Sequence, residues 1–201
     1  INQLLKTVPG IYIREEDGAG LRPNIGIRGA TSERSSKITL LEDGVMIAPA
    51  PYADPSAYYF PTAARQKAIE VLKGAPLLRY GPQTTGGVLN LVSTPTPERT
   101  SGSLQLSADE RGSSDLHGWV GSETDGLAWL VETVQRDGEG FKQIDRAGDE
   151  AGFEIADYVA KLAWESQGEG PKQRLFLKVQ YSEETSNETY LGLTDVDFKQ
   201  D

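Results

Sequence analysis

The chain has 201 residues, of which 25% are charged and 37% hydrophobic, with a formal net charge of -10 and no cysteine. Such an excess of acid argues against a nucleic-acid partner, which needs a basic footprint to displace counterions from phosphate, and the lack of cysteine excludes disulfides and thiolate metal sites. The 22 Gly and 11 Pro suit many short strands and turns better than a helical bundle.

The chain opens at Ile1, and nothing near it resembles the charged, then apolar, then small-residue order of a signal peptide, so any targeting segment is expected to have been removed. No stretch approaches the roughly 20 apolar residues of a spanning helix, so a membrane would have to be met with strands. Strand-like runs fall at 11–14, 25–28, 38–41, 68–72 and 88–92, punctuated by Gly and Pro. Between the third and fourth, residues 48–62 carry Pro49, Pro51, Pro55 and Pro61, which forbid a helix or a central strand. The same stretch carries Tyr52, Tyr58, Tyr59 and Phe60, and disordered segments are poor in aromatics. An ordered loop is expected there.

The alternating prolines of Thr94-Pro95-Thr96-Pro97 favour an extended connector, so a domain boundary is placed after Pro97, giving domains 1–97 and 98–201. Beyond it, residues 102–109, 115–122, 127–135, 155–165 and 173–182 have the length of strands. In the last two, Tyr158, Ala160, Leu162 and Trp164 oppose Val159, Lys161, Ala163 and Glu165, and Leu175, Leu177, Val179 and Tyr181 oppose Arg174, Phe176, Lys178 and Gln180. One face is oily and the other mixed, which suits a barrel wall, although a half-buried sheet of a soluble protein gives the same pattern more often. After the first hairpin, short links near 122–126 and 166–172 alternate with a long one at 136–154, the asymmetry of outer-membrane barrels.

Four motifs follow in order: NIGIRG at 24–29, LEDGV at 41–45, IEVLKG at 69–74 and YGPQTTGGVLN at 80–90. Together with LLKTVPGIYI at 4–13 they resemble the plug domain of TonB-dependent receptors. The likeness runs nearest to ferric-citrate-type siderophore receptors, where the Ala-Pro-Tyr loop and the Tyr-Gly-Pro-Gln run recur. The resemblance implies an α+β plug with a mixed β-sheet, followed by antiparallel strands of an incomplete transmembrane β-barrel that would need about 22 strands to close. It places the protein in the bacterial outer membrane, among lipid, importing a ferric chelate or similarly bulky nutrient. Its partner there would be TonB, through a box expected upstream of Ile1, and no cofactor is implied.

For individual residues, the resemblance makes 48–61 an apical plug loop, with Tyr52, Asp54, Tyr58 and Tyr59 as ligand contacts and Gln83 as a weaker one. Packing of the plug is the alternative role for these tyrosines. Arg28 and Lys73 fall where the family's plugs carry cations that pair with glutamates of later barrel strands. Lys73 stands where Arg is frequent, so a latch there would be a point charge in place of a bidentate fork. The loop itself offers no cation to an anionic chelate; Arg34, Lys37 and Arg65 are the nearest in sequence.

Enzymatic function is not supported. The single histidine, His117, lies in a strand-like run with no nucleophile at a recognisable spacing, and reads as a structural or lumen-facing residue. There is no Gly-x-Ser-x-Gly elbow and no phosphate loop. Asp17, Asp43 and Asp54 read as turn formers. The acidic end, 194–201, lacks the glycine and distal glutamate of a calcium loop and reads as a solvated loop. The remaining alternative is a soluble β-rich extracellular or periplasmic ligand-binding module, against which the ordered plug motifs stand.

Overall fold

The computed structural model describes residues 1–15, 19–47, 59–81, 84–140 and 151–187, with Val196 and Lys199. The chain divides into two compact units, Ile1–Pro95 and Thr96–Asp201; the junction lies in the alternating-proline connector.

The first unit begins with a short helix α1 (Asn2–Lys6), which buries Leu5. Strands β1 (Ile11–Arg14) and β2 (Asn24–Ile27) pair antiparallel as a two-stranded sheet. A four-stranded mixed sheet follows, from β3 (Ile38–Glu42), β4 (Val45–Met46), β5 (Gln66–Leu72) and β6 (Gly87–Ser93), in the order β4-β3-β6-β5. The central pair, β3 and β6, is parallel, while β4 and β5 flank it antiparallel. Every residue of β3 is buried, as expected of a central strand with both faces covered. Ile38, Leu40, Leu89 and Leu91 enter the main core with Leu5, Ile11, Ile25, Ile27 and Phe60, while Leu41 and Val88 pack with Leu77 in a smaller cluster.

The motifs acquire physical reasons here. Asp43 and Gly44 both have positive φ, 51° and 79°, and join β3 to β4 as a two-residue type I′ turn. The Gly44 amide donates to Asn90 Oδ1 at 2.9 Å, and Asn90 Nδ2 donates to Glu70 Oε2 at 2.8 Å. The Asp43 carboxylate accepts from the Ser93 amide at 2.9 Å and the Ser93 hydroxyl at 2.6 Å. LEDGV, IEVLKG and GGVLN are thus stitched together at one place. Gly26 is required by close approach: a Cβ there would lie 2.7 Å from the Ala30 carbonyl oxygen and 2.8 Å from the Tyr12 ring, whose hydroxyl donates to that oxygen at 2.7 Å. Gly26→Ala is expected to cost about 1–3 kcal/mol by overpacking, read as a lowered midpoint in denaturant unfolding.

The second unit is a five-stranded antiparallel sheet in sequential order: β7 (Ser101–Ala108), β8 (Ser114–Thr124), β9 (Leu127–Gly138), β10 (Phe153–Glu165) and β11 (Arg174–Ser186). The last four have 11, 12, 13 and 13 residues, well past the usual ~5–6 and long enough for the ~9–11 that a tilted membrane strand needs. They run beyond the bounds expected from sequence. Asp125 and Gly126, both at positive φ, close the β8–β9 hairpin as a second two-residue turn. No helix among the described residues is long and apolar enough to cross a membrane.

One face of this sheet is exposed and apolar, and the other is mixed, burying Leu130, Val134, Ile155 and Val159 beside Glu132, Asp157 and Lys161. Tyr158, Leu162 and Trp164 are 49%, 45% and 40% exposed, whereas Asp157 and Lys161, on the other face of the same strand, are 1% and 3% exposed. The register carries the same face across the strands: Gly102, Val120, Val131, Ala160 and Val179 form one row, and Ser122, Trp129, Leu162 and Leu177 another. Toward one end of the face Tyr158 and Tyr181 stack with centroids 6.5 Å apart. Toward the other stand Trp129 and Trp164. The distance from Tyr158 to Trp164 is roughly 20 Å along the strand at ~3.3 Å per residue. An exposed apolar band bounded by aromatics is what a lipid-facing wall presents.

Candidate functional site

Of the expected ligand contacts, Tyr52, Asp54, Tyr58 and Gln83 lie outside the described residues. Both flanks of 48–58 are described. On the leading side the Ile47 amide donates to the Leu40 carbonyl at 3.0 Å, and its side chain packs against the main core. On the returning side the aromatic pair splits. Phe60 enters the core, while the Tyr59 hydroxyl accepts a 3.1 Å hydrogen bond from Arg65 Nη2.

Arg65 ends a single 3-10 turn, Ala63–Arg65, just before β5, and is 0% exposed. Its guanidinium makes a bidentate pair with Glu42 at the end of β3, Nη1 to Oε1 and Nη2 to Oε2, the latter at 3.1 Å. Its carbonyl accepts from the Thr94 amide at 3.1 Å and the Thr94 hydroxyl at 3.3 Å. Of the three cations nearest the loop in sequence, Arg65 is therefore not open to an anionic chelate, because its charge is met by a buried carboxylate. Arg34 and Lys37 are exposed. Sequence reasoning missed the Glu42–Arg65 pair, since 23 residues separate its members and no local pattern links them.

Arg28 and Lys73 are brought to one turn. Arg28 lies just past β2 at φ 53°, and its amide donates to the Gly10 carbonyl at 2.8 Å. The Lys73 ammonium donates to the neighbouring Pro9 carbonyl at 2.6 Å. Arg28 is exposed and Lys73 half-buried. A lysine can keep this bond and still offer two further donors.

In the second unit the face opposite the apolar one is mixed, and its polar side chains are hydrogen-bonded. His117 Nε2 and Glu132 Oε1 are 2.7 Å apart on adjacent strands, with the Glu132 side chain fully buried. Arg136 Nε donates to Asp115 Oδ1 at 2.7 Å, and Gln180 Nε2 to Asp157 Oδ1 at 3.3 Å. His117 therefore sits on the mixed face with a carboxylate partner. Among the described residues no group of three or more His, Asp or Glu side chains is placed to hold a metal ion.

A small mixed-sheet domain, followed along the chain by long antiparallel strands that expose an apolar face, is the architecture of a plugged β-barrel receptor. Residues 1–88 match the family model described as TonB-dependent Receptor Plug Domain, which makes this part of the chain a plug domain of that family. The chain is 26% identical over 193 residues to the vitamin B12 transporter BtuB of Vibrio vulnificus (strain YJ016), covering 91% of this chain and 30% of that relative. Among solved structures it superposes on the ferric citrate transporter FecA in its unliganded form with a TM-score of 0.75, at 24% identity, over 100% of this chain and 31% of that one. The siderophore receptor PirA from Acinetobacter baumannii gives a TM-score of 0.68 at 23% identity, covering 92% of this chain and 29% of that one. These likenesses establish the fold, and the chain spans about a third of the length of each. The relatives named are transporters and receptors, not enzymes.

Proposed function

We propose that the intact protein is an outer-membrane importer of a ferric chelate, of the citrate or siderophore class, in which residues 1–95 are the plug and residues 96–201 the opening strands of the barrel. The observation that carries this reading is a plug domain followed along the chain by a sheet that exposes an apolar face bounded by aromatics and buries charged side chains such as Glu132, Asp157 and Lys161 on its mixed face. Ligand contacts are assigned to Tyr52, Asp54, Tyr58 and Tyr59, with Gln83 in a lesser role. A proline-set segment loses little ordering entropy when it binds. Occupancy there biases the plug, and the coupling to a periplasmic partner is reciprocal by linkage. That partner is TonB, engaged through a segment preceding Ile1, and Arg28 and Lys73 latch the plug to glutamates of later strands.

A second reading, import of a corrinoid, is favoured by the likeness to a vitamin B12 transporter. The two are separated by uptake in iron-starved cells carrying the full-length gene, with and without TonB. Radiolabelled ferric citrate, ferric enterobactin, ferric pyoverdine and vitamin B12 are the probes. The expected result is TonB-dependent uptake of one ferric chelate that falls when Tyr52 and Tyr58 are changed to Ala. Uptake of vitamin B12 alone selects the corrinoid reading, and uptake of every probe independent of TonB overturns both.

A further inference from the structure

One row of the second sheet's apolar face runs in register from β7 to β11 as Leu104, Gly118, Thr133, Tyr158 and Tyr181. Large side chains stand at its two ends and small ones in the middle. The adjoining row is made of Gly102, Val120, Val131, Ala160 and Val179, none of them long. Together they leave a depression of about 690 Å³ over β8 and β9, with Leu104 on one side and the stacked Tyr158–Tyr181 pair on the other.

Gly118 is the informative residue. A glycine inside a strand weakens it and marks a bulge, a tight bend or a close approach by a ligand or another backbone. Both ladders run through Gly118 without a register shift, and its φ is not positive. A Cβ there would meet only Leu104 Cδ1 at 3.3 Å, a methyl that can turn aside, and the Ser103 carbonyl oxygen at 4.0 Å. Neither backbone conformation nor crowding within the sheet calls for glycine, and what remains is room for an occupant.

The lining selects hydrocarbon. The Thr133 hydroxyl accepts from Gln135 Nε2 at 2.8 Å, and the Tyr181 hydroxyl donates to Glu183 Oε2 at 3.1 Å. Water entering the depression would find few partners, and an empty depression among lipid forfeits dispersion contacts. The face also changes character at this level. Toward the connector at 139–152 come Gln135 and Glu183, then Asp137 and Glu154; toward the other end come Trp129, Leu162 and Leu177. That border suits a molecule with a hydrocarbon body and a polar head. A second copy of the chain suits it poorly: two copies oriented alike in one membrane would bring Asp137, Glu154 and Glu183 against their like. A headgroup bearing an ammonium is complementary to the same acids.

We propose that this depression is a binding site for an acyl chain of a membrane lipid, whose headgroup stands at the level of Gln135 and Glu183. The inference rests on the reading of residues 96–201 as barrel wall. It goes beyond that reading, because a wall alone touches lipid evenly.

The test uses the full-length receptor in vesicles of phosphatidylethanolamine and phosphatidylglycerol. A small part of the phosphatidylethanolamine carries a diazirine midway along one acyl chain. After illumination, adducts are mapped by peptide mass spectrometry. Peptides holding Gly118 and Thr133 are expected to carry about threefold more adduct than those holding Leu162 and Leu177, the preference that a handful of added dispersion contacts supplies. Gly118→Leu and, separately, Thr133→Leu fill the depression and are expected to bring that ratio to about one. The yield at Leu162 and Leu177 is expected to hold in both variants, which shows that they are inserted. Even labelling across the face of the parent overturns the site and leaves the wall reading in place. A ratio unchanged in both variants overturns it as well. So does a depression left unlabelled between labelled flanks, the mark of a protein partner seated there. Should no strand of this face take up the probe, the reading of the second unit as barrel wall fails, and the lipid site fails with it.

Discussion

Ala160→Arg is expected to destabilise the membrane-inserted protein by about 2–4 kcal/mol, the cost of a cation near the midplane of a lipid-facing barrel wall. The position is chosen for contrast. Ala160 is exposed in the middle row of the apolar face, flanked in register by Val131 and Val179, and the next residue, Lys161, is a native cation at 3% exposure on the opposite face. Two adjacent positions thus place the same charge in opposite surroundings, because successive side chains of a strand point to opposite faces. The measurement is urea unfolding of the full-length receptor in lipid vesicles, beside Lys161→Met. A neutral Ala160→Arg would mean that this face does not meet lipid and would revive the soluble β-rich module.

Arg65→Met is expected to cost about 3–5 kcal/mol, since it strands the Glu42 carboxylate, only 7% exposed, without its bidentate partner. Adding Glu42→Leu to the same chain is expected to recover most of that loss, because a buried ion pair replaced as a whole by apolar groups is often neutral in stability. The two changes are therefore non-additive, as expected for groups in direct contact. Denaturant unfolding of the three variants, followed by a probe in the plug, checks this. If the double variant is as unstable as Arg65→Met, the bonds that the pair makes to Tyr59 and its other neighbours outweigh the stranded charge.

Much of the architecture is written locally. The runs at 11–14, 38–41 and 88–92 lie within strands β1, β3 and β6, and the alternation at 155–165 lies within β10. Strand β4 was absent from the sequence reading although its signal was present. Asp43-Gly44 is a type I′ dipeptide, and the same pair at Asp125-Gly126 turns β8 into β9. The 25–28 run ends one residue early, because Arg28 adopts a left-handed conformation that no strand accommodates.

Strand positions, turn sites and the two-residue alternation follow from short-range chemistry: branched and aromatic side chains favour extended backbone, and Asp-Gly accepts positive φ. The ordered motifs identified the plug in the same way, by residues whose spacing is set within a few tens of positions. Which face of the second sheet is buried did not follow, because period-two alternation is identical for a soluble sheet and a barrel wall. The convergence of Arg28 and Lys73 on the Pro9–Gly10 turn, the parallel pairing of β3 with β6 and the capture of Arg65 by Glu42 also came only with the folded chain. Each joins residues distant in sequence, and such pairings are selected by burial and charge neutralisation across the whole packed domain.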